Sequence, residues 1–157
     1  MTEIKKIIAC VDLSGYTKET LEYALALSCG TKSDILVLHV INDRDIDAVR
    51  AASRYYPGSF DIERYREGAR TDRQGRIRNI ISEYFPEYGE KFQVMIREGN
   101  PFEEILMAVE GDVPDLVVVG NKGKGNFAKT LFGSVAEKVF RHCPVPVVSV
   151  RRQAPAE

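Results

Sequence analysis

The residues with the most chemistry in their arrangement are Gly120-Asn121-Lys122-Gly123-Lys124-Gly125-Asn126, running on to Gly133-Ser134-Val135. Glycine lets a backbone N–H approach a phosphate oxygen with no Cβ in the way. Ser134 offers a hydroxyl donor or a metal-facing oxygen, and Lys122 and Lys124 add positive potential. In a shuffled chain of this composition the spacing Gly-x2-Gly-x9-Gly-[Ser/Thr] arises about 4 × 10⁻⁵ times per position, or roughly 0.006 times per chain. Chance alone therefore rarely produces it. A second candidate is Asp12, which directly follows an apolar run. Its carboxylate can accept hydrogen bonds from a ribose or an adenine amino group, or it can form the next turn or cap the next helix.

Other chemistries fit less well. Cys10, Cys29 and Cys143 are odd in number and lack metal-like spacing, and His39 and His142 lie far apart in sequence. Neither a disulfide framework nor a zinc site is expected, and the cysteines read as small apolar side chains. The Walker pattern G-x-x-x-x-G-K-[ST] is absent, and nothing nominates a general base beside the glycine loop. The expectation from these residues is a phosphate-bearing ligand held without a dedicated catalytic residue. Slow phosphate hydrolysis or phosphotransfer on the same loop is the alternative.

The elements that must hold these residues alternate between two periods. Ile4–Val11 and Ile35–Ile41 are β-rich apolar runs, and such runs suit parallel strands covered on both faces. Between them Leu21, Ala24, Leu25 and Ser28 form a helical stripe that Gly30 is placed to end. Residues 42–70 carry little pattern. A long helical pattern then takes in Ile62, Tyr65, Ala69, Ile77, Ile80, Ile81 and Tyr84. Phe92, Val94 and Ile96 predict a third strand, and Asn100-Pro101-Phe102-Glu103 a capped helix start with Phe102, Ile105, Leu106 and Val109 buried. Leu116–Val119 is a fourth strand. Val135, Ala136, Val139 and Phe140 mark a last helix and Val145–Val150 a fifth strand. The expected fold is α/β: one domain with an open parallel five-stranded sheet, order 3-2-1-4-5, and helices on both faces. The glycine loop and Asp12 then meet at the switch point between strands 1 and 4, where open sheets bind ligands.

Composition agrees with this and narrows the partners. The chain has 157 residues, 44% apolar and 29% charged, with a formal net charge of −1. That balance suits an ordinary globular domain and gives no bulk electrostatic case for nucleic acid or a membrane surface. No apolar run approaches a membrane span, and the opening residues are too polar for a signal peptide, so a cytoplasmic location is expected.

The spacing Gly120-x2-Gly123-x9-Gly133-Ser134 matches the ATP-binding signature of the universal stress protein family, which the chain resembles over nearly its whole length. Ile7-Ile8-Ala9-Cys10-Val11-Asp12 looks like that family's first strand with its aspartate, and Leu38-His39-Val40 like the end of its second. Gly99-Asn100-Pro101 with Glu103-Glu104-Ile105 is similar to its third helix entry, and Cys143-Pro144-Val145-Pro146-Val147-Val148 to its closing strand. The resemblance implies ATP, or AMP or ADP, as ligand, with Mg2+ or Mn2+ as an accompanying cation. It implies adenosine contacts from Val11, Asp12 and Val40. It implies ribose and phosphate contacts from Gly120, Gly123, Gly133, Ser134 and Val135, with Lys124 on the same loop. It also implies a homodimer through Val145–Val150, where Pro146 suits an edge strand, and a stress-response regulatory role. The Ser-Gly-Gly-x-Asp-Ser loop of the related adenylating synthetases is absent, the corresponding site beginning Asp12-Leu13-Ser14-Gly15.

Overall fold

Apolar runs with no polar face make the centre of the sheet. A computed structural model describes residues 3–55, 58, 61–121 and 133–151. Its strands are β1 (Lys6–Cys10), β2 (Asp34–Asn42), β3 (Phe92–Gly99), β4 (Leu116–Gly120) and β5 (Val147–Val150). All pair in parallel, in the order β3-β2-β1-β4-β5. The central strands β1 and β4 match Ile7 to Leu116 and Cys10 to Val119, and both are buried on their two faces. The expected strand order holds.

The helices are α1 (Thr17–Ser28), α2 (Asp43–Tyr55), α3 (Ile62–Tyr84), α4 (Pro101–Asp112) and α5 (Ser134–His142). They divide between the faces as strand alternation requires. On one face, Leu21, Ala24 and Leu25 of α1 and Ile77 and Ile81 of α3 pack with Ile7, Ala9, Val37 and Val118. On the other, Ile105, Ala108 and Val109 of α4 and Ala136 and Val139 of α5 pack with Ile8, Leu36, Leu38, Val117 and Val119. Each large side chain buried this way contributes roughly 1.5–3 kcal/mol of transfer free energy. α3 is further tied to the β3 edge, where Arg66 pairs with Glu98 and Arg70 donates to the Ile96 carbonyl at 3.1 Å.

Three expectations need correction. The unpatterned segment contains α2, whose one buried residue is Ile46. The helix is started by Asn42, whose side chain accepts from the Arg44 N–H at 3.1 Å, and carries Asp43 and Asp45 in its first turn. That cap and the first-turn charge mark its start in a mostly polar sequence. The last strand is Val147–Val150, not Val145–Val150, because Pro144 and Pro146 have no N–H to give a ladder. Phe102 and Leu106, expected in the buried stripe of α4, are only half-buried, and the stripe runs instead through Ile105, Ala108 and Val109.

Candidate functional site

The chain leaves β1 through Val11 and Asp12, β2 through Asn42, and β4 through Gly120 and Asn121, all at the carboxyl end of the sheet. Because β1 lies between β2 and β4, its crossover goes to one side and that of β4 to the other, leaving a crevice. A cavity of about 380 Å³ occupies it, within the usual range of small-molecule sites.

One wall of the cavity is apolar: Leu38, Val40, Ile105, Val119 and Ala136 from the α4–α5 face, with Cys10 among them. Burial, reinforced by the neighbouring Cys143 thiol, pushes the Cys10 thiol far above its ordinary value. It therefore stands as an uncharged wall group rather than a nucleophile. The opposite wall is polar, with Tyr16 just before α1, Thr17 and Thr20 of α1, Asp45 of α2 and Arg73 of α3. Arg73 is the one Lys or Arg among the described lining residues, and its Nη1 lies 2.9 Å from Asp72 Oδ2.

The rim between the walls is backbone held in place. His39, 3% exposed, sits with Nδ1 2.8 Å from the Val11 carbonyl. A carbonyl only accepts, so that nitrogen carries the proton. The Val11 N–H donates to the Leu38 carbonyl at 2.9 Å, so β2 fixes both backbone groups of Val11. Asp12 Oδ1 accepts from the Ser14 N–H at 3.0 Å, an Asx turn that accompanies a left-handed Leu13 (φ +60°). It does not cap α1, whose cap residue is Tyr16.

On the far side, α5 begins at Gly133, which has no side chain to close the helix. The first ladder bond runs from Glu137 N–H to the Gly133 carbonyl at 2.9 Å, so the N–H groups of Ser134, Val135 and Ala136 precede the helix ladder. They are oriented for an anion. Gly133 has φ −69° and ψ 152°, a conformation open to any residue. A requirement for glycine there comes from what approaches it, not from its backbone angles. Asn121 joins the ends of the structure: its N–H donates to the Val150 carbonyl at 2.7 Å, and its carbonyl accepts from the Gly133 N–H at 2.8 Å.

The profile of the universal stress protein family matches residues 3–151 of the chain. The chain belongs to the universal stress protein family. It is 27% identical over 156 residues to the universal stress protein MJ0577 of Methanocaldococcus jannaschii, covering 95% of this chain and 96% of that protein. The solved structure of MJ0577 superimposes with a TM-score of 0.80 over 98% of this chain and 99% of that one. Two more distant family structures share the fold. One is a universal stress protein in complex with cAMP (TM-score 0.60, 16% identity, 96% and 98% of the two chains). The other is a family protein from Arabidopsis thaliana with AMP bound (TM-score 0.53, 17% identity, 96% and 93%).

Of the site residues that the universal stress protein signature names, Val11, Asp12, Val40, Gly120, Gly133, Ser134 and Val135 all border the one cavity. Gly123 and Lys124 lie outside the described residues. Sequence reasoning missed Thr17, Asp45 and Arg73, because helices α1, α2 and α3 bring them to the site from positions with no motif around them. Among the described residues, no group of three or more His, Cys, Asp or Glu side chains could hold a metal ion. None of the helices described is long and apolar enough to cross a membrane.

Proposed function

We propose that this universal stress protein binds an adenine nucleotide in the crevice between β1 and β4 and works as a cytoplasmic regulatory homodimer, through its nucleotide-dependent state or its partners. The observation that carries the reading is the meeting of an apolar slot, backbone-lined strand ends and the uncapped start of α5 in one cavity. An aromatic base fits against Leu38, Val40, Ile105 and Val119, and phosphates fit the N–H groups that open α5. Asp12 stands between them as an acceptor for ribose or base. The AMP and cAMP complexes of other family members support this ligand class. The Ser134 hydroxyl, at the same helix start, suits a Mg2+ or Mn2+ ion carried on the phosphates, where the ion would offset their charge.

Mass spectrometry of small molecules released by denaturing the purified protein identifies the ligand. Calorimetric titration of Asp12→Asn then tests the placement. An amide oxygen keeps the Asx turn, so the melting temperature is retained while nucleotide affinity falls by about 1.5–3 kcal/mol, the worth of a charge-assisted hydrogen bond. Unchanged affinity would remove Asp12 from the site. A steady-state phosphate-release assay separates binding from slow hydrolysis.

A further inference from the structure

Six polar residues are buried among the described ones: Thr17, Thr20, Ser28, Ser33, His39 and Asn121. Five have partners. Thr20 donates to the Tyr16 carbonyl, Ser28 to the Leu25 carbonyl and Ser33 to the Ile4 carbonyl, each at 2.7 Å. His39 bonds the Val11 carbonyl, and Asn121 accepts from Ser149. The exception is Thr17, 2% exposed, whose Oγ1 has no hydrogen-bond partner. Its place in the helix explains why the backbone offers none. A threonine inside a helix returns its hydroxyl to the carbonyl four residues back. Thr17 opens α1, and the residue four back is Leu13, in a left-handed turn outside the helix. A buried hydroxyl without a partner is costly enough to need an explanation. Thr17 is one of the residues around the cavity, so a small shift of its side chain brings the hydroxyl to a ligand there.

The sheet decides which part of a ligand meets it. Thr17 stands on the α1–α3 side with Tyr16, Asp45 and Arg73, whereas the apolar slot and the start of α5 both lie on the α4–α5 side. A base in the slot and phosphates at α5 would leave the sugar between them, over the ends of β1 and β4, within reach of Asp12 and α1. We propose that Thr17 is a specificity-determining residue whose hydroxyl bonds a ribose hydroxyl of the nucleotide, so that the site selects ribonucleotides over deoxyribonucleotides. The inference rests on the adenine-nucleotide reading of the cavity.

The test is calorimetric titration of the full-length parent, Thr17→Val and Thr17→Ser with ATP, 2′-deoxy-ATP and 3′-deoxy-ATP, beside thermal melts of the unliganded proteins. Valine keeps the shape and removes the hydroxyl. Thr17→Val should bind ATP about three- to tenfold more weakly, the loss of one neutral hydrogen bond. The loss should vanish with one of the two deoxynucleotides, Thr17→Ser should retain ATP binding, and the unliganded melting temperature of Thr17→Val should not fall. A lower melting temperature with unchanged affinity would assign the hydroxyl to a buried water and overturn the proposal. So would a loss that persists with both deoxynucleotides. If the parent binds none of the three, the nucleotide reading itself fails; if it binds and Thr17→Val binds equally well, only the role of Thr17 does.

Discussion

At the scale of single residues, one carboxylate is tied to the backbone well away from the cavity. Asp115 Oδ2 accepts from the N–H groups of Lys5 and Lys6 at 2.7 and 3.0 Å, joining the start of β4 to the start of β1. These two bonds hold its carboxyl below the ordinary value of 3.8. A depressed folded-state value means stability that is full above the unfolded value and lost as pH falls through the folded one. Acid melts of the parent should therefore lose stability below about pH 4 in part through Asp115, and Asp115→Asn should show a shallower decline there. Equal slopes for the two proteins would remove Asp115 from the acid response. The candidate site was legible where its chemistry depends on glycine and a hydroxyl, since spacing alone marks Gly120, Gly133 and Ser134. Thr17 and Arg73 were not, because a threonine or arginine on an amphipathic helix looks the same in sequence whether it meets solvent or a ligand.

Secondary-structure elements show the same division between patterned and unpatterned sequence. The core strands and α1 could be read because burial on two faces or on one stripe leaves a period: Leu21, Ala24, Leu25 and Ser28 are all buried, and Gly30 takes φ +87° beyond the helix end. The start of α4 could be read from its cap, since the Asn100 side chain accepts from the N–H groups of Phe102 and Glu103 at 3.0 and 3.4 Å. α2 was not read because it is mostly polar and buries only Ile46, so the core imposes few apolar positions on it. The end of α4 breaks a local rule. Val113 holds the left-handed conformation (φ +47°, ψ 59°) with 75% of its surface exposed, and Pro114 bars right-handed continuation. A β-branched residue there carries roughly 1–2 kcal/mol of strain and has little packing to lose. Val113→Gly should stabilise the protein by about 1 kcal/mol after the added chain entropy of glycine is counted. That corresponds to a rise in melting temperature of about 2–4 °C for a domain of this size. A fall would mean that the valine side chain makes contacts worth more than its strain.

For the whole molecule, β5 ends the sheet and its register determines what a second copy would meet. Val117 N–H donates to the Pro146 carbonyl and Asn121 N–H to the Val150 carbonyl. Residues 146, 148 and 150 therefore turn their backbone groups toward β4, and Val147 and Ser149 turn theirs outward. If the proposed homodimer pairs through this edge, Ser149→Pro removes an outward donor and leaves the internal ladder in place. Sedimentation should give a dimer for the parent and a 17.6 kDa monomer for the variant, with the melting curve still cooperative. A variant that stays dimeric would place the interface elsewhere. The bond between Gly133 N–H and the Asn121 carbonyl has a different consequence. It is a clasp that ties the end of β4 directly to the start of α5, so backbone atoms alone register these two walls of the crevice. The sheet and the clasp together form a fixed socket.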